Sequence, residues 1–169
     1  MGHSASRVEA DAVGGFLEAV ARGDNRRVRR YLRRARELAD ATDHDGNSAL
    51  FWACHEGHRD TARILLRAGA APQVEPHREN GNPLRIASQE GRPDIVRLLL
   101  RYGAEPDRGN REQPTPLQIA AQEGHAEVVG LLLQYGAGPG IANGARTPLQ
   151  LAEAEGNSDI VALLLGSGR

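Results

Sequence analysis

At 169 residues with a formal net charge of −1, and with 40% hydrophobic and 25% charged residues, the chain fits one domain and is short for two. Only 4% of residues are aromatic, so the core must be built of Leu, Ile, Val and Ala, a composition that suits packed helices. No apolar run approaches the ~18 residues of a membrane span, the N-terminus lacks the apolar core of a signal peptide, and Cys54 as sole cysteine excludes an intramolecular disulfide. An intracellular chain, in cytoplasm or nucleus, is expected.

The charge is unevenly spread. Through residue 39 there are nine Arg against five acids; from residue 40 onward there are twelve Arg against seventeen acids, and no Lys occurs anywhere. Residues 1–10, opening Met-Gly-His-Ser, read as a flexible tail of tag-remnant character, formally matching a myristoylation pattern as well. Residues 11–169 are expected to be a single domain.

The stretch Arg26 to Arg36 holds seven arginines in eleven positions. By itself this density reads as a polybasic patch for nucleic acid or membrane. Within it, Val28, Tyr31, Leu32 and Ala35 follow the i, i+3, i+4, i+7 spacing of an amphipathic helix, which leaves the arginines on the opposite, solvated face.

From there the chain repeats itself. Leu50, Leu84, Leu117 and Leu149 fall 34, 33 and 32 residues apart. Gly57, Gly91, Gly124 and Gly156 keep the same intervals, and so do Gly69, Gly103, Gly136 and Gly168. Each period predicts two short helices. Pro83, Pro116 and Pro148 fit a first helical position, with Asn82, Thr115 and Thr147 before them as N-caps. A glycine then ends the helix and turns the chain. Asp60, Asp94, Glu127 and Asp159 favour the first turn of a second helix, which carries a leucine-rich run and stops at the next glycine. Counting back one period from Gly57 reaches Gly23, so the arginine-rich stretch becomes the outer helix of a degenerate first unit. Units are predicted at about 11–45, 46–79, 80–112, 113–144 and 145–169.

Thr115-Pro116-Leu117-Gln118-Ile119-Ala120, then Gly124-His125, then Leu132-Leu133-Gln134-Tyr135-Gly136-Ala137, resemble the ankyrin repeat pattern T-P-L-H-x-A, G-H and L-L-x-x-G-A. The family's His is replaced by Phe51, Arg85, Gln118 and Gln150. The resemblance covers roughly residues 11 to 168 and implies an all-α solenoid of stacked helix-turn-helix units with short β-hairpin-like connections.

Candidate chemistry is sparse. Cys54 and His58 lie at i, i+4, but two ligands do not make a metal site. Asp43 to Asn47, "DHDGN", fails the calcium-loop pattern at its Gly and Glu positions and reads as a hairpin tip. No catalytic residue, metal ligand or cofactor is assigned, and the chain is read as non-enzymatic.

What remains is a surface. Glu56, Glu90, Glu123 and Glu155 each precede a helix-ending glycine, and in a stack of helices about 10 Å apart they predict an acidic rail that favours a cationic or amide-rich segment. Trp52 stands in the column of Ile86, Ile119 and Leu151, as either core or groove lining. Phe51 is read as an exposed aromatic beside Arg85. The resemblance implies a concave partner-binding face, with Phe51, Trp52, His55, Glu56, Arg85, Gln89, Glu90, Arg111, Gln118, Gln122, Glu123 and Glu155 as its candidate contacts.

The expected function is a scaffold or adaptor that binds a protein, either a peptide segment or a folded domain, as a monomer or as a fragment of a longer protein. The alternatives are an inhibitor clamping a folded enzyme domain, or a basic N-terminal helix binding nucleic acid or anionic membrane. Against nucleic acid stand the acidic balance of the later units and the lack of an aromatic platform interleaved with the basic run.

Overall fold

The computed structural model describes residues 2–73, 82–107, 113–142 and 146–167, with side chains from residue 12 onward. Its helices come in five successive pairs. These are α1 (Gly2–Ala21) with α2 (Asn25–Arg34), α3 (Ala49–His55) with α4 (Arg59–Ala68), and α5 (Pro83–Gln89) with α6 (Pro93–Arg101). α7 (Pro116–Gln122) with α8 (Ala126–Gln134) and α9 (Pro148–Ala154) with α10 (Ser158–Gly166) complete the array. The first member of each pair touches the first member of the next, and the second members form a parallel row, giving an inner and an outer layer. Among the described residues there is no strand, only an isolated antiparallel bridge between Thr42 and Ser48 at the first hairpin tip.

Local chemistry sets the inner helices. Ser48 Oγ accepts from the Phe51 N–H at 3.1 Å, and Asn82 Oδ1 accepts from Leu84 and Arg85 at 2.9 and 3.2 Å. Thr115 and Thr147 form reciprocal capping boxes with Gln118 and Gln150. Glutamine therefore fills the place of the family's histidine while still serving the turn: Gln118 Oε1 accepts from Thr115 N at 2.8 Å, and its Nε2 donates to the Arg146 carbonyl of the next unit at 2.6 Å. Leu50, Leu84 and Leu117 of the repeat are at most 1% exposed and lie in one continuous apolar core.

Two boundaries differ from expectation. α1 begins at Gly2, ahead of residue 11, the expected start of the first unit, and the stretch contains no proline to break it. α2 stops at Arg34, and Arg36 opens a separate 3-10 turn, Arg36–Asp40, with its Nε donating to the Ala68 carbonyl at the end of α4 at 2.8 Å. The predicted apolar stripe of α2 is present. Val28 is fully buried, Tyr31 and Leu32 pack on the core, and Tyr31 meets Phe16 edge-to-face at 5.9 Å.

Successive units are tied at their turns by one column. His58 Nε2 donates to the Ala21 carbonyl at 3.0 Å, His125 Nε2 to Gln89 at 2.9 Å, and Asn157 Nδ2 to Ala121 at 3.0 Å. Each sits over the turn glycine of the preceding unit, as does Arg92 over Gly57. Asp40 and Asp107 add a second tie, accepting the Ala71 and Gly138 N–H groups one unit further on, both at about 2.9 Å.

Candidate partner-binding face

The most elaborated side-chain cluster of the inner layer belongs to α3. Phe51, Trp52 and His55 share one stretch of this helix, with Trp52 edge-on to both neighbours at 5.6 and 5.7 Å and His55 stacked on Phe51 at 6.1 Å. His55 Nδ1 donates to Glu56 Oε1 at 2.9 Å. On the other side, Trp52 Nε1 donates to Asp43 Oδ2 at 2.9 Å.

Asp43 is the hub of the hairpin tip. Its Oδ1 accepts from the Asp45 and Asn47 N–H groups, both at 2.9 Å, and its Oδ2 also accepts from Asn47 Nδ2 at 3.1 Å. Partial burial alone would raise this carboxyl, but the Asn47, Trp52 and Asp45 hydrogen bonds outweigh it and hold the group below its ordinary value. Trp52 is half-buried against the core, so it serves as core and as surface at once.

Phe51 corrects the sequence reading: it is 8% exposed, turned into the core by the apolar packing that α3 shares with α5. Gln118 is likewise not available to a partner, at 1% exposure, because both ends of its amide are used within the fold. Arg85 is half-buried, and desolvation lowers its guanidinium from its ordinary value. Its Nε is buried without a hydrogen-bond partner. Arg111 lies outside the described residues.

Glu56, Glu90, Glu123 and Glu155 are the C-caps of α3, α5, α7 and α9. They hold one register position on four inner helices that contact each other in sequence. Glu90 is half-buried and the other three are exposed. Helices packed about 8–10 Å apart put neighbouring positions of such a row near the physiological Debye length of ~8 Å, so adjacent carboxylates repel only weakly. Gln89 and Gln122, one residue earlier, are half-buried and exposed, with their main-chain carbonyls accepting from His125 and Asn157.

Sequence reasoning missed Asp43 as a partner of Trp52. The signal was in the text of the chain: an Asx turn in "DHDGN" places a carboxylate at the foot of the following helix. It also missed the interlocking role of the His58, Arg92, His125 and Asn157 column. Cys54 is fully buried in the core, where desolvation pushes its thiol up and leaves it inert. Among the described residues no group of three or more His, Cys, Asp and Glu side chains is placed to hold a metal.

A family model described as ankyrin repeats (3 copies) matches residues 16–110 and again 104–169. No curated protein matches the chain.

Proposed function

The chain belongs to the ankyrin-repeat family, and from that premise we propose that it is a non-enzymatic scaffold or adaptor holding an extended, cationic protein segment along its inner layer. Ankyrin repeats are generally protein–protein interaction modules. The observation that carries the reading is the row of four C-cap glutamates, which begins beside the half-exposed Trp52. Guanidinium or ammonium groups of a partner pair with the carboxylates, and the Trp52 face offers a cation–π contact worth about 0.5–1 kcal/mol at an exposed site. A rigid stack keeps the ordering cost of binding on the partner's side. A single buried thiol and the lack, among the described helices, of any long and apolar enough to cross a membrane fit an intracellular role as a proposal.

Selection from a displayed peptide library tests this. Arg- and Lys-rich segments are expected to enrich, and a Glu90→Gln/Glu123→Gln variant is expected to bind them several-fold more weakly with unchanged circular dichroism. Enrichment of acidic segments, or affinity untouched in that variant, would exclude the inner row as the binding face. Phe51 is left alone in this design because its burial makes any truncation a stability variant.

A further inference from the structure

The outer layer carries a second feature that the inner row does not use. Between α2 and α4 lies a groove of about 480 Å³ whose walls are Arg29, Arg33, Arg36 and Arg67 and whose floor includes Leu32 and Ile64. Among the described residues no carboxylate lines it.

The arginines here differ from Arg59 and Arg63 of α4. Arg63 pairs with Asp60, and Arg59 reaches Asp94 at 3.5 Å. None of the four groove arginines has a carboxylate partner among the described residues. Two are instead steadied by main-chain carbonyls, Arg36 Nε on Ala68 at 2.8 Å and Arg33 Nε on Arg29 at 3.3 Å. A guanidinium has five N–H donors, so each of these keeps most of its donors for another acceptor.

Helix stability accounts for part of the pattern, since Arg33 and Arg67 stand in the last turns of α2 and α4, where the dipole favours positive charge, but it does not account for the rest of the basic face. On the adjoining flank of α2, Arg26, Arg27 and Arg30 join Arg33 around a second concavity whose one acid is Asp24. Arg26 and Arg27 stand in the first turn of the helix, where the helix dipole disfavours positive charge. Cations without carboxylate neighbours also cost self-repulsion.

We infer that the α2/α4 groove is a second docking site, for an acidic peptide segment with aliphatic side chains, separate from the inner face. Carboxylates of the segment meet Arg29, Arg33 and Arg67, and its aliphatic groups cover Leu32 and Ile64. The apolar floor favours a peptide over nucleic acid, since among the described residues no aromatic ring lines the groove to stack on a base. The acid excess from residue 40 onward, seventeen against twelve arginines, also repels a long polyanion that would run on past the first units. A recessed floor leaves nothing to insert into a bilayer.

The test uses the full chain and a short fluorescein-labelled peptide of glutamate and leucine, read by anisotropy. Binding that weakens with salt is expected, with a loss on the order of tenfold in Arg33→Glu/Arg67→Glu and no change in Glu90→Gln/Glu123→Gln. If charge reversal disturbs the circular dichroism, Arg33→Gln/Arg67→Gln is used and the same loss in direction is expected. The inference is overturned if the peptide does not bind, if neither Arg33/Arg67 pair weakens it, or if an all-glutamate peptide binds equally well. Tighter binding of duplex DNA or phosphatidylserine vesicles than of the peptide overturns it too. Because the inner-row variant is read in the same assay, failure here is distinguishable from failure of the inner-face reading.

Discussion

The indole N–H of Trp52 donates to Asp43 Oδ2 across nine residues of chain, at 2.9 Å, and so joins the first hairpin tip to the inner helix α3. The carboxylate accepts four hydrogen bonds in all. Asp43→Ala is therefore expected to cost about 1–2 kcal/mol, the lower part of the range for bonds to a charged acceptor because the group is only half-buried. Urea unfolding measures the loss, and a red shift of emission from Trp52, the sole tryptophan, reports the freed indole. Unchanged emission would mean that the indole is held by packing alone.

The same carboxyl makes the tip acid-sensitive. Its folded value lies below the ordinary 3.8, so the unfolded chain takes up the proton first as pH falls. The contribution to stability is whole above that ordinary value and disappears as pH drops through the folded one. Trp52 emission followed through acid titration is expected to show a component in this window, and Asp43→Asn is expected to remove it.

Gly91 has φ 60°, and a Cβ placed there would stand 2.5 Å from Cε1 of His125, whereas Gly69, with φ 104°, has open space around it. Gly69→Ala should carry only the left-handed backbone cost of about 1–2 kcal/mol. Gly91→Ala should exceed it by about 1–2 kcal/mol of steric cost. In a His125→Ala background the excess should vanish, and a double-mutant cycle by denaturant unfolding reads this directly. Additive costs would show that the ring moves aside freely.

Gln118 and Gln150 make the same capping box in different surroundings. Gln118 is buried and also reaches Arg146, while Gln150 is exposed. Truncating Gln118 to Ala leaves the buried Thr115 N–H without its partner and should cost about 2 kcal/mol, against under about 1 kcal/mol for Gln150→Ala. Midpoints of chemical denaturation compare the two, and equal costs would argue against any role for the bond to the next unit.

The helical pairs, their proline and threonine starts and their glycine stops were legible in the sequence because each rests on local rules repeated at a fixed interval. The acidic row was legible for the same reason: register alone places Glu56, Glu90, Glu123 and Glu155. Phe51 was not, since replacing a polar family residue by an aromatic ring at a half-exposed position leaves open which way the ring turns, and packing between α3 and α5 decides it. Gln118 was misread similarly. Its capping role follows from its spacing to Thr115, but its burial depends on the Arg146 carbonyl supplied by the next unit, twenty-eight residues on. Asp43 was read correctly as a turn residue, and its bond to Trp52 needed the two elements in space.

His58, Arg92, His125 and Asn157 each cover the turn of the unit before their own. At the inner turns dependence thus runs forward, each of these bends being fastened by the following unit, while Arg36, Asp40 and Asp107 fasten the segment behind the next outer helix in the opposite sense. During synthesis a newly emerged pair of helices waits for the following pair before its bend is fastened, so a lesion in that column loosens a bend made earlier.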